Sequence, residues 1–260
     1  MKMYLTIIVF FICGFFTKGQ EAKDIIYKTF TINKMEGTEA ISHLTIKDSK
    51  GRKRERKITM ATKIYDNGKT EKKIMRFIEP PEIKGTSMLT FDYNEGDDDM
   101  WIYMPALRKT RRIVSNEKSK SFMGSEFSNA DMVIPNLNDF NYQMVSKNEL
   151  IDDVECWNII MKPKNEEIAN NYGYSKRKVW IGKKDLVIRK GEVYDLSDEL
   201  LKTMNVKKVE LIDPKNKKYQ NTIMEIYNEQ NGRSSIFKIE KMIYNPNVKD
   251  IYFTTKYLEN

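Results

Sequence analysis

The sequence predicts a mainly β protein with a few helices, built on an antiparallel sheet. Three observations carry that prediction: long runs that alternate apolar and polar residues with a period of two, glycine and Asn-Gly turns between those runs, and a single early run with a 3.6-residue period. The 260 residues are 40% hydrophobic and 32% charged, with 12 Gly and 7 Pro. This balance excludes a disordered or fibrous chain. The length supports a core that stands without disulfide or metal staples. No Pro/Gly/Ser-rich linker or shift in composition divides the chain, so residues 20–260 read as one domain.

The helix comes first. In EAKDIIYKTFTINKM, residues Ile25, Ile26, Thr29, Phe30 and Ile32 recur at helical spacing, and Gly37 follows the end. Three strand-like runs come next, ISHLTIKDSKG, RKRERKITMATKIYDNG and KTEKKIMRFIEPPEIKG, bounded by Gly51, Gly68 and Gly85, with Asn67-Gly68 as a hairpin signal. Ile58, Met60, Thr62 and Ile64 share one face of the second run, and Lys57, Thr59, Lys63 and Tyr65 share the other. TSMLTFDYNEGDDD and MWIYMPALRKTRRI form a further pair turning at Asn94 to Asp99, which gives four or five adjoining antiparallel strands. Residues 114–142 then break the rhythm. Clustered Ser and Asn, with Phe122-Met123 as an exposed apolar pair, read as a long ordered loop with one helical turn near Asp131. A loop of this length usually serves a site. Strands resume from DDVECWNIIMKP onward, Asn231-Gly232 marks another hairpin, and FTTKYL is a last short element.

Lys2, the apolar run Met3 to Phe16 and the small or polar residues after it have the layout of a secretory leader over residues 1–19, cleaved near Gly19 or Gln20. An uncleaved anchor is the alternative. Cleavage removes Lys2, Lys18 and Cys13, lowers the net charge from +8 to +6, and leaves Cys156 as the one thiol. A lone cysteine beside Trp157 on a strand pattern reads as a buried apolar residue.

Motifs for catalysis are missing. His43 is the only histidine, so a histidine cluster for zinc is excluded and a Ser-His-acid triad would have to use it. Ser125 sits in MGSEF, which lacks the G-x-S-x-G elbow. Asp97, Asp98 and Asp99 read as a solvated turn, because three adjacent carboxylates cannot face one cation. Phosphate-binding glycine loops are also absent. Asp131, Asp139, Asp152 and Asp153 make a glycosidase pair only if the fold sets two of them across a cleft. The expectation is therefore no catalytic residue, no metal and no cofactor. Two basic clusters stand out: Arg52 to Lys57, and Arg108, Lys109, Arg111 and Arg112 beside Trp101 and Tyr103. Behind a secretory leader, nucleic acid is out of reach. Their partners would be lipid headgroups or an acidic protein. For the 52–57 run, a solvated strand face is an equal reading.

The segment MWIYMPALRKTRRIVSNEKSKSFMGSEFSNADM, Met100 to Met132, closely resembles the signature segment of the LolA-like family of outer-membrane lipoprotein-sorting proteins. The ending FTTKYLEN also resembles theirs, and the similarity extends more loosely over residues 20–260. The resemblance implies a strongly curved antiparallel sheet of about ten strands, an incomplete β-barrel closed by helices and a loop around a cavity for acyl chains. It implies a periplasmic carrier or chaperone in a Gram-negative envelope that sequesters the acyl chains of lipoproteins or another lipid for transfer toward the outer membrane. An inner-membrane transporter and an outer-membrane acceptor would be its partners. A monomer is favoured, with the oligomeric state open. Under this resemblance Met60, Met75, Met88, Trp101, Tyr103, Met104, Leu107, Phe122, Met123 and Phe127 are expected to contact the ligand. Arg108, Arg111 and Arg112 would hold headgroups or a partner, while Gly124, Ser125 and Asp131 position the loop. Glu126 stands where many relatives carry Asp. Two alternatives remain open: a non-catalytic accessory or docking protein of an envelope export complex, with a filled interior, and a lipid-modifying enzyme.

Overall fold

The computed structural model describes residues 13–94 and 96–259. Most of the expected leader, residues 1–12, lies outside the described residues, and the rest of it forms the first turns of a helix, α1 (Cys13–Thr31). Among the described residues no helix is long and apolar enough to cross a membrane. The first half of the chain forms β1 (Gly37–Lys47), β2 (Lys53–Tyr65), β3 (Thr70–Glu79), β4 (Ser87–Tyr93), β5 (Asp99–Met104) and β6 (Lys109–Arg112). The second half forms β7 (Phe140–Ile151), β8 (Val154–Pro163), the helix α2 (Glu166–Tyr172), β9 (Lys176–Gly182) and β10 (Ile188–Tyr194). It ends with β11 (Leu200–Asp213), β12 (Lys218–Asn228), β13 (Ser234–Tyr244) and the single-turn helix α3 (Thr255–Leu258).

All 13 strands among the described residues belong to one curved, unclosed antiparallel sheet in the order β6-β5-β4-β3-β2-β1-β13-β12-β11-β10-β9-β8-β7. Two meanders run outward from the β1–β13 pairing, in which Thr38 faces Tyr244 and Lys47 faces Ser234. Successive strands pair through short turns, Asp66 to Lys69 between β2 and β3 and Glu229 to Arg233 between β12 and β13, where Asn67 and Gly232 take the left-handed conformation that such turns require. The strand count exceeds the ten that the family resemblance implies. Part of the excess arises where MWIYMPALRKTRRI breaks at Pro105–Leu107 into β5 and β6.

Alternation then decides which residues face inward. On β2 to β4, Ile58, Met75, Phe77 and Met88 enter the core on the concave side, whereas Ala61, Ile74 and Leu89 meet Val248, Phe253 and Leu258 on the other side. The C-terminal segment thus covers the convex face of the first meander. Ser87 Oγ donates to the Leu258 carbonyl at 2.8 Å, and Arg76 donates to the Tyr257 carbonyl. On the second meander, Ala22, Ile25 and Ile26 of α1 pack on Phe140, Ile159, Val179 and Ile181, at the i, i+3, i+4 spacing of an amphipathic helix. α2 joins them through Tyr172. Its start is capped by the Asn165 side chain, which accepts from Ile168 N, and its end by Gly173 at φ 77°.

Leu258 is fully buried in the convex cluster. Leu258→Ala is expected to lower unfolding stability by about 2–5 kcal/mol, read as a lower urea midpoint with an unchanged m-value.

Candidate functional site

Between the concave core of the first meander and the helix-covered core of the second lies a cavity of about 300 Å³. Among the described residues seven methionines line it, Met35, Met60, Met75, Met132, Met204, Met224 and Met242, out of 15 in the chain. Unbranched thioethers fill irregular space and re-pack around varied apolar shapes. Phe30, Phe127, Ala130, Val133, Pro135, Phe237, Ile188 and Ile239 complete the apolar wall. The charged and amide lining is confined to a few positions: Glu71 and Lys73 on β3, Asp131 in the connection, Arg177 on β9, and Asn33, Lys34, Gln220 and Asn221 near the end of α1; Thr38, Thr62, Tyr172 and Tyr174 add hydroxyls. A wider groove of about 1160 Å³ runs between α1 and the β2–β3 turn and shares Lys34 with the cavity. Lys23, Asp24, Asp66, Asn67, Lys69, Asn94 and Asn138 line it. Its charged and amide groups stand among Tyr27, Ile64, Tyr93 and Leu137, whereas the smaller space has the more continuous apolar wall and is the candidate site.

The connection from Ile113 to Asp139 forms the cavity's cover. It is a chain of short 3-10 turns at Ser115–Glu117, Phe122–Gly124, Asn129–Met132 and Leu137–Asp139. Ser121 bridges Ser128, and Phe122 N donates to the Phe127 carbonyl at 2.8 Å, closing a small loop. Met123 and Gly124 take left-handed conformations at its tip, φ 51° and 75°. Ser125 Oγ donates to the Phe122 carbonyl at 2.7 Å, and Asp131 accepts from Ser128 N and Oγ, both at 2.8 Å. Glu126 fastens this loop to the sheet. Its buried carboxylate meets Arg233 Nε at 3.0 Å and Asn228 Nδ2 at 2.9 Å. Lys202 donates to its carbonyl at 2.6 Å. Farther along, Lys73 Nζ donates to the Met132 carbonyl at 2.9 Å, Ile134 N donates to Asp92 at 3.1 Å, and Asn136 N donates to the Tyr172 hydroxyl at 3.2 Å. Burial pushes the Asp92 carboxyl up to about 8, against the pull of Lys73. Burial likewise raises Asp98 to about 6, against Lys118 at 3.8 Å.

The residues expected at the site divide into groups. Met60, Met75, Phe127 and Asp131 line the cavity. Met88 lies outside the lining, fully buried and paired across the strands with Met75. Phe122 is 1% exposed, so it is not part of an exposed pair; its ring packs 5.9 Å from that of Phe77, with Met123 partly buried on the same core. Trp101 and Tyr103 lie on the convex side with Phe91 and Leu89, because Met100 and Ile102 take the inward positions of β5. Met104 ends that strand outside the cavity lining, and Leu107 is 64% exposed on the turn that follows. Arg108 occupies a left-handed position at φ 47° on the same surface turn. Arg111 pairs with Glu117 at 2.7 Å and Arg112 with Asp99, away from the cavity. Hydrogen bonds from Lys120 and Arg111 hold the Glu117 carboxyl down at about 2. Sequence reasoning missed Arg177, Lys73, Glu126 and the methionines of β11 to β13. Alternation places Met204 with Val206 and Met224 with Ile226 on inward faces, but which strands converge is set by long-range pairing.

His43 and Ser125 do not converge. His43 is a surface strand residue 2.7 Å from Glu240, and Ser125 is buried in its own turn. Cys156 is buried, and burial pushes its thiol up to about 11. Among the described residues no group of three or more His, Cys, Asp or Glu is placed to hold a metal ion.

Two measurements check this geometry. Because the folded Asp92 carboxyl titrates above its unfolded value, its contribution to stability is complete below about pH 4 and is lost as pH rises toward about 8. Asp92→Asn is expected to flatten the fall in unfolding midpoint between pH 5 and pH 8. Glu126→Ala removes the carboxylate that accepts from Arg233 and Asn228 and is expected to cost about 1–3 kcal/mol, with new proteolytic cleavage within residues 121–128.

A protein-family model described as "Uncharacterized protein" matches residues 69–260. No curated protein sequence matches the chain. Among solved structures, a DUF1329 family protein from Desulfovibrio piger is similar with a TM-score of 0.84 at 25% identity, over 93% of this chain and 99% of that one. A domain from Vibrio parahaemolyticus named for outer-membrane lipoprotein sorting gives a TM-score of 0.83 at 23% identity, over 93% of this chain and 100% of that one. A LolA superfamily protein from Nitrosomonas europaea gives 0.67 at 19% identity, over 91% and 98%. The unclosed sheet with its helical and looped cover is therefore an incomplete LolA-like barrel, and the chain belongs to the family whose model, described as "Uncharacterized protein", matches residues 69–260.

Proposed function

We propose that this protein is a periplasmic, non-catalytic carrier that encloses an acyl chain of a lipoprotein or another lipid and hands it on toward the outer membrane. The observation that carries the reading is the methionine-lined cavity under the fastened connection. An accessory protein with a filled interior has no use for such a space. The leader expected from residues 1–19 and the likeness to a domain named for lipoprotein sorting support the same compartment and cargo class.

The magnitudes suit a carrier. At about 30 Å³ per water-sized group, a cavity of about 300 Å³ admits about ten methylene-sized groups. Ten methylenes at about 0.8 kcal/mol each withdraw about 8 kcal/mol of hydrophobic cost from water. That is enough to hold one chain in part and too little to trap it irreversibly. A sixteen-carbon chain would leave its remaining carbons at the mouth. Phe122 and Met123 anchor the cover in this reading, and Arg108, Arg111 and Arg112, on the outer surface, face a donor or acceptor protein rather than the chain.

Native mass spectrometry of gently purified mature protein, with lipid extraction, is expected to show close to one lipid or acylated peptide per chain. A chain that stays empty where a control carrier keeps its lipid overturns the proposal. Met224→Glu adds a charge at a partly buried wall position. It is expected to reduce retained lipid at least tenfold, about 1.4 kcal/mol, with the far-ultraviolet spectrum unchanged.

A further inference from the structure

We infer that the cavity selects a single-chain lipid bearing an oxygen acceptor, a carboxylate or an acyl carbonyl, and that Arg177 binds this head inside the wall; the inference rests on the carrier reading and names its ligand class.

A guanidinium carries five N–H donors and no acceptor. Arg177 lines the cavity with its side chain 18% exposed. Its contacts among the described residues are sparse: Nη1 lies 3.4 Å from Asp131, Nη2 lies 3.9 Å from the Met204 sulfur, and Nε is buried without a partner. Most of its hydrogen-bonding capacity is therefore unused beside an apolar wall, where unmet donors are costly. Lys73 repeats the pattern. Its close contact is the Met132 carbonyl at 2.9 Å, and its carboxylate neighbour Glu71 stands at 4.0 Å. Both cations line the cavity and both touch the Asp131–Met132 stretch of the cover. The surface arginines differ, since Arg111 and Arg112 are already paired with Glu117 and Asp99.

An oxygen acceptor at the end of the enclosed chain satisfies Arg177 without disturbing the methionine wall. A hydrocarbon leaves the donors unmet. An ammonium head adds a like charge beside Arg177 and Lys73, and the carboxylates of that wall, Asp131 and Glu71, already face these two cations at 3.4 and 4.0 Å. The head is therefore read inside the cavity, next to the cover, and its arrival bears on the residues that hold the cover down.

Displacement of the neutral fluorophore N-phenyl-1-naphthylamine tests the assignment with three probes of equal chain length: dodecanoic acid, methyl dodecanoate and dodecylamine. The full-length mature protein is expected to release the fluorophore to the acid at a concentration at least tenfold below that of the amine. Equal potency of the ester identifies an esterified acyl chain as the source of the acceptor, and a preference for the acid alone identifies a free fatty acid. Arg177→Met is expected to lose the preference, read as the ratio of the acid and amine concentrations that displace the fluorophore from the variant itself, by about tenfold to a hundredfold with the far-ultraviolet spectrum unchanged. Arg177→Lys, which keeps a cation, should retain part of it. Equal potency of acid and amine in the unaltered protein, or an undiminished preference in Arg177→Met, overturns the head-group assignment and leaves the enclosure of a chain standing. Failure of the fluorophore and of all three probes to bind overturns the carrier reading, and this inference with it.

Discussion

Strands β6 and β7 follow one another in the chain yet occupy opposite edges of the sheet, so the connection between them has to cross the open side of an incomplete barrel. That constraint organises the rest of the molecule. The crossing segment cannot use sheet pairing, because it runs over the edge-to-edge gap and not beside a strand. Its backbone groups must still find partners. They do so through successive 3-10 turns and through side chains sent up from the sheet: Lys73 and Asp92 from one meander, Arg233, Lys202 and Ser235 from the other. A cover held at points, not packed along its length, leaves room beneath it.

The division of labour between apolar and charged groups follows. Methionines make most of the cavity wall because they accept variable shapes at little cost in strain. Ionisable residues appear where the cover meets the wall, and several of them are buried enough to titrate far from their ordinary range. Asp92 is the clearest case: it is 2% exposed and fastens Ile134 with one oxygen, while its other oxygen has no partner among the described residues. Groups of this kind make the cover's grip sensitive to what enters beside them, in a way that a purely apolar seam would not be.

Much of the fold was legible because it is local. The faces of β2 follow from alternation alone, Asn67-Gly68 and Asn231-Gly232 mark their hairpins, and the irregular composition of 114–142 announces a long connection with a turn at Asp131, although its last three residues open β7 (Phe140–Ile151), a strand that went unread. The site was less legible, for identifiable reasons. Trp101 and Tyr103 sit within a family-like segment, but the parity of β5 turns them outward and hands the interior to Met100 and Ile102. α2 went unread although Asn165, Glu166-Glu167 and Gly173 supply its start and stop. Arg177 and Met204 carry no local signature, since what makes them neighbours of Met75 and Met132 is the pairing order of distant strands. Glu126 was noticed only as a departure from a family residue, while its buried contacts with Arg233 and Asn228 depend on that same distant pairing.

The meeting of β1 with β13 has a consequence for how the molecule comes into being. Each meander consists of neighbour-to-neighbour hairpins that can zip locally, but Thr38 must wait for Tyr244 before the two halves become one sheet. Closing so long a loop late sets the rate, as in other folds of high contact order. Until then the inward methionines of both halves face solvent as two sticky, half-formed surfaces. The β1–β13 pairing is thus the step that both joins the halves and takes these surfaces out of water.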